Sequence, residues 1–229
     1  MARDSAKRIN TLLEINGGSK YLEIGVASGL TFERVNAMNK VAVDPSFRFD
    51  TQEKTESGKT YIECTSDQYF SEYGGSNFDL IFLDGLHTFE QTLRDFINAT
   101  SVLSAGGLIL IDDVFPEDYA GSLKTMKEMR SYRIATNDES PMHWWGDVYK
   151  LIPFLHDFYP NVDYRTSLQG KKQTVVALRR AEEVRRPHFR DIREIASLSF
   201  SELVNIPHLW KFCDDNDLFD FAVRMKTER

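Results

Sequence analysis

The sequence predicts an α/β fold: a mostly parallel sheet with helices on both faces. Three observations predict it. Short apolar or β-branched runs recur five times between residues 21 and 111, alternating with helical or polar segments. The clearest of them, Phe78–Leu83, is bounded by turn residues and nearly continuous in apolar character, as strands buried on both faces are. Acidic residues close these runs, at Asp44, Asp84 and Asp112-Asp113, with Glu23 near the end of the first. Open α/β sheets bind ligands at the carboxyl ends of their strands, so these five residues are expected to face one cleft.

The elements follow in order. Ile9, Leu12, Leu13 and Ile15 have helical spacing over residues 5–15, and Gly17-Gly18 end that helix. The first strand is Tyr21–Ile24, and a helix is expected from Gly29 to Met38. The second strand, Lys40–Val43, stops at Asp44-Pro45. After a polar stretch come a third strand, Thr60–Cys64, and a helix, Gln68–Tyr73. The fourth strand leads through Asp84-Gly85-Leu86-His87 to a helix that Thr88 opens, with Gln91 placed for a capping box. The fifth strand is Gly106–Ile111.

Residues 114–146 read as a long excursion over the cleft, with a helix near Ser122–Met129. Trp144 and Trp145, beside His143, serve either as a lid or as an anchor for the next helix, Val148–Phe158. Val162–Ser167 and Gln173–Leu178, split by Gly170-Lys171-Lys172, form a closing hairpin. From Arg179 the composition changes, which divides the chain into residues 1–180 and a helical extension, 181–229. The extension reads as two or three helices. Its apolar residues, among them Leu203, Leu209, Trp210, Leu218 and Phe221, must be buried on the main domain or on a second copy of the chain, so a homo-oligomer through these helices is one expectation.

Composition narrows the function. A net charge of −7 over 229 residues argues against nucleic acid as a partner. No run of about 18 apolar residues exists, so no membrane span is expected. Two distant cysteines, Cys64 and Cys213, offer neither metal spacing nor a disulfide framework, and suit free thiols in the cytoplasm.

The stretch Glu23-Ile24-Gly25-Val26-Ala27-Ser28-Gly29 organises the rest. Gly25 and Gly29 can adopt positive φ and let a ligand approach the backbone, and Ala27 is the next smallest choice. It is not the dinucleotide fingerprint, because Ala27 and Leu30 stand where that motif needs glycine. Asp44, 19 residues after Gly25, suits a ribose hydroxyl or else caps a turn before proline. Ser66 and Asp67 either reach an adenine edge or cap the helix that follows. Asp84, Asp112 and Asp113 would repel one another unless neutralised, and Mg²⁺ is the natural partner for such a set. Otherwise one of the pair Asp112-Asp113 caps the next element. His87 is placed to act as general base, to position substrate, to ligate the metal or to make a local hydrogen bond. His143 is a weaker second candidate, and His156, His188 and His208 read as structural.

At these residues the chain resembles a known family. Glu23–Gly29 is similar to the first motif of class I S-adenosylmethionine-dependent methyltransferases, acidic-x-Gly-x-Gly-x-Gly, with Ala27 in place of the middle glycine. Asp44 matches the acidic residue that ends the second strand. Phe78–His87, and Leu103-Ser104-Ala105-Gly106-Gly107 through Asp112-Asp113, resemble the branch that includes metal-dependent O-methyltransferases of the catechol and macrolide-sugar types. The resemblance covers about residues 18–180. It implies a Rossmann-like sheet of seven strands with the last antiparallel, and S-adenosylmethionine as cofactor. The Gly25–Gly29 loop would wrap its methionine part, Asp44 its ribose, and Ser66-Asp67 its adenine. Asp84, Asp112 and Asp113 would ligate Mg²⁺, and His87 or Asp84 would take a proton from the hydroxyl of a small-molecule acceptor, a sugar, polyol or phenol. Two other readings compete: an NAD-linked oxidoreductase on a similar sheet, and a methyltransferase-like binding protein without turnover.

Overall fold

The computed structural model describes residues 2–54, 56–73, 75, 77–179 and 185–227. The strands are β1 (Lys20–Ile24), β2 (Asn39–Asp44), β3 (Lys59–Glu63), β4 (Phe78–Leu83), β5 (Leu103–Ile111), β6 (Val162–Ser167), β7 (Gln173–Leu178) and β8 (Phe212–Cys213). They form one sheet in the order β3-β2-β1-β4-β5-β7-β6-β8. The first five run parallel, and β7 is antiparallel to both its neighbours. The order reverses beside β1 and β4, so the crevice of the sheet opens at their carboxyl ends.

The hairpin and the fourth strand lie where the sequence predicts them. Three things differ. The sheet has an eighth strand among the described residues, because Phe212–Cys213 pairs in parallel with Thr166 and Ser167. Two residues are too few to leave a period in the sequence. The helix expected over 29–38 is a single 3₁₀ turn, Phe32–Arg34. Tertiary partners take its backbone groups instead. The Asn10 side chain bonds the Arg34 carbonyl and the Asn36 N–H, and Lys40 Nζ donates to the carbonyls of Phe32 at 2.6 Å and Val35 at 2.9 Å. The helix of the excursion lies later than expected, at Met126–Thr136, where Thr125 and Glu128 form a capping box.

Alternation along β4 builds two apolar layers. Leu80 and Phe82 pack with Ile9, Leu12 and Leu13 of α1 (Ala2–Asn16) and with Leu218 and Phe221 near the C-terminus. Ile81 and Leu83 pack on the other face with Phe89 and Phe96 of the helix Phe89–Ser101 and with Leu151, Ile152 and Leu155 of the helix Leu151–Asp157. Each such side chain, fully buried, contributes roughly 1.5–3 kcal/mol.

The C-terminal segment, expected as two or three helices, forms four among the described residues, at Ile192–Ser197, Phe200–Val204, Pro207–Trp210 and Asp215–Thr227. Leu203, Leu209 and Trp210 join one layer and Leu218 and Phe221 the other, so the apolar surface that suggested a second copy is buried largely within this chain. The boundary expected at 180/181 lies outside the described residues. Both cysteines are free, and among the described residues no helix is long and apolar enough to cross a membrane.

Candidate active site

The loop after β1 is shaped by what its backbone must avoid. Gly25 has φ 87°, and a Cβ there would stand 2.0 Å from the Asp84 carbonyl oxygen. Gly29 has φ 75° and is closed off by the Phe49 ring. Ala27 takes φ 48°, the left-handed region that glycine favours. Asp44, at the end of β2, holds this loop: its Oδ2 accepts from Val26 N–H and Ala27 N–H, each at 2.8 Å, and its Oδ1 from Ser46 N–H at 2.8 Å. A carboxylate offers about four acceptor directions, so one remains for a ligand hydroxyl. Ser28 is exposed at the tip of the loop. Glu23 is buried beneath it and accepts from the Tyr21 hydroxyl at 2.6 Å. Burial pushes the Glu23 pKa up to about 8, against the opposing pull of that hydrogen bond.

Ser66 and Asp67 begin the helix Ser66–Glu72, but Thr65 is its cap, accepting from Gln68 N–H at 3.2 Å. Ser66 Oγ and Asp67 Oδ1 each accept from Gln91 Nε2 at 3.1 Å. Gln91 is therefore engaged away from Thr88, and the capping box expected there does not form. Asp147 Oδ1 takes the Phe89 N–H instead, at 2.7 Å.

The chemistry gathers beyond β4 and β5. His87 Nε2 lies 3.1 Å from Asp113 Oδ2 and 3.5 Å from Asp84 Oδ1. Its Nδ1 meets the Trp144 carbonyl at 3.0 Å, and its ring stacks on Trp144 at 5.3 Å. The segment that carries both tryptophans is tied to its neighbours here. Trp144 covers His87, while the Trp145 and Gly146 N–H groups bond Gly121 O, and the absence of a side chain at Gly146 lets the backbone close on His87. Asp112 has partners of its own: its Oδ2 pairs with Lys171 Nζ at 2.9 Å and its Oδ1 accepts from Asp113 N–H. Lys171 also lies 3.6 Å from Asp113 Oδ1. His143 stands apart, exposed and edge-on to Trp145.

Electrostatics follow from this packing. Burial alone would lower the His87 pKa, but Asp113 and Asp84 outweigh it and hold the imidazolium up to about 9. Burial, with Asp112 beside it, raises Asp113 to about 8, and the same two causes raise Asp84. The group therefore shares protons and titrates as a unit.

Ligand atoms of Asp84, His87 and Asp113 lie within 4.8 Å of one another. That set has a nitrogen in it and leaves out Asp112, so the all-oxygen triad expected for Mg²⁺ is not assembled, and the fit to that ion is poor. Sequence reasoning missed Lys171 as a site residue. It lies in the β6–β7 turn, and β6 runs parallel to β5, which puts that turn at the ligand edge.

Residues 22–114 match the family described as methyltransferase domain. No curated protein matches the chain. Among solved structures, the plantazolicin methyltransferase BpumL in complex with SAH is similar at TM-score 0.53 and 14% identity, over 78% of this chain and 84% of that one. A Klebsiella pneumoniae protein assigned as an O-methyltransferase follows at 0.51 and 15%, over 79% and 81%. Cofactor-bound Rv0187 from MTB stands at 0.50 and 14%, over 80% and 82%. At such identities the likeness is one of fold. The matched span holds the Gly25–Gly29 loop, Asp44, His87 and all three aspartates.

Proposed function

We propose that the chain transfers the methyl group of S-adenosylmethionine to a hydroxyl of a small molecule, a phenol or a sugar or polyol. One observation carries this reading. The span matched by the methyltransferase domain runs from the strand before the glycine loop to the residue after Asp113, so one domain supplies both a donor side and an acceptor side. On the donor side, the Gly25–Gly29 backbone receives the methionine part, the free acceptor direction of Asp44 a ribose hydroxyl, and Ser66-Asp67 the adenine edge. SAH in the structure of BpumL supports the choice of cofactor.

On the acceptor side the residues divide the work. Asp84 is the more open of the two carboxylates that face His87, 29% exposed against 7% for Asp113. It accepts the proton of the acceptor hydroxyl. His87, already an imidazolium at neutral pH, stabilises the charge on the aspartates and is not the initial proton acceptor. The acceptor oxygen then attacks the sulfonium methyl carbon, the C–S bond breaks, and its electron pair stays on sulfur. Positioning two reactants in one crevice supplies much of the rate. The Trp144 ring beside His87 gives a flat or cyclic acceptor a face to lie against.

The test is calorimetric titration of the full chain with S-adenosylhomocysteine. Binding in the micromolar range, competed by S-adenosylmethionine, is expected. No binding with either compound overturns the reading.

A further inference from the structure

The geometry points to Lys171 as the resident cation of this site, taking at Asp112 and Asp113 the place a divalent ion would otherwise fill. The inference rests on the methyl-transfer reading for what the site does, but not for what the site binds.

The first support is the count of partners. Asp112 Oδ2 pairs with Lys171 Nζ at 2.9 Å, and Asp112 Oδ1 accepts from Asp113 N–H at 2.9 Å. Asp113 Oδ1 faces Lys171 at 3.6 Å, and Asp113 Oδ2 faces His87 Nε2 at 3.1 Å. All four oxygens thus have a donor or cation from the chain itself. An ion entering between these aspartates would have to expel the ammonium or sit against it, and like charges at that range repel strongly.

The second support is how Lys171 is delivered. Its backbone is fixed from below by Arg8, which is 2% exposed and donates to Lys171 O at 3.0 Å and Gln169 O at 2.9 Å. Arg8 also bonds Ser167 Oγ and Asp215 Oδ1, so helix α1, the β6–β7 hairpin and the C-terminal helix Asp215–Thr227 are joined at one guanidinium. A lysine on a free turn would drift in solvent. This one stands on a braced turn, with its ammonium held between two carboxylates. Lys172, next in the chain, points elsewhere, to Glu117. The chemistry follows: the negative charge that the cleft needs for proton acceptance is balanced without a diffusible ion, and methyl transfer proceeds in the presence of a chelator.

Titration with Mn²⁺, followed by electron paramagnetic resonance on the full chain, tests the inference. The wild-type chain and K171R, which keeps a cation, are expected to bind Mn²⁺ only in the millimolar range. K171M is expected to bind at least about tenfold more tightly, because the ammonium no longer repels the ion. K171Q repeats the test should K171M fail to fold, which a circular-dichroism melt reports. If the neutral variants bind no better than wild type, whether because all bind tightly or because none binds, the inference is overturned. Failure of S-adenosylhomocysteine to bind would sink the proposed function and leave the Mn²⁺ result standing, so the two failures are distinguishable.

Discussion

The two halves of the crevice are built by different means. On the β1–β2 side, backbone conformation does the work: positive φ at Gly25, Ala27 and Gly29, with loop N–H groups gathered on Asp44. On the β4–β5 side, side chains do it: Asp84, His87, Asp112, Asp113 and Lys171 hold one another through charge. The first half is a rigid cradle with few protons to move. The second shares protons and has little backbone strain beyond Asp113, at φ 59°. A donor cofactor needs shape, and an acceptor hydroxyl needs a place for its proton, so the division matches the two tasks of the methyl transfer proposed above.

The largest effect comes from breaking the cradle. Gly25→Val puts a branched side chain where even a Cβ would lie 2.0 Å from the Asp84 carbonyl. Strain and displaced backbone together should cost about 4 kcal/mol or more, read as a fall in the urea midpoint, with binding of S-adenosylhomocysteine lost. A variant within about 1 kcal/mol of wild type would show that the cradle is softer than its geometry implies.

This contrast also sets what could be read from the sequence. Backbone demands leave marks in it, because few residues tolerate positive φ, and Gly25 and Gly29 announced the cradle. The buried strand Phe78–Leu83 was plain from its apolar pattern, and the hairpin from two runs split by Gly170-Lys171-Lys172. The charged half was legible as acids at strand ends and as His87 just beyond one of them, but its cation and its cover were not. Lys171 lies 59 residues from Asp112 in the chain, and Trp144 57 from His87, so neither pairing leaves any local period. The expected 29–38 helix failed for the same reason: Asn10 and Lys40 take the backbone groups that a helix would have used, and local propensity yields to such partners. The lysine could have been found by a topological step, since a hairpin after a parallel strand turns at the ligand edge.

A pH series sharpens the comparison, because Glu23 lies beneath the cradle yet titrates like the charged half. Its folded pKa of about 8 stands above the ordinary 4.5. The stability it contributes is therefore present below pH 4.5 and is lost as pH rises through 8. Urea unfolding at pH 5 and pH 9 should show wild type losing about 3–5 kcal/mol more than Glu23→Gln over that window. Equal losses in both proteins would mean that Glu23 is ionised in the fold and solvated by groups other than Tyr21.

The smallest effects test whether Asp44 compensates for Ala27. Asp44→Asn replaces a charged acceptor of two loop N–H groups by a neutral one, and should cost about 1.5 kcal/mol of stability and about tenfold in cofactor affinity. Ala27→Gly should gain up to about 1 kcal/mol, because glycine adopts φ 48° without steric penalty, although its freer unfolded chain offsets part of the gain. If the carboxylate is what holds Ala27 in this conformation, the two changes are not additive: Asp44→Asn should cost about 0.5 kcal/mol less once residue 27 is glycine. Additivity would instead mean that Asp44 serves the ligand alone and that the loop keeps its shape through Gly25 and Gly29, which would make the cradle a local property of two glycines and not a joint product of β1 and β2.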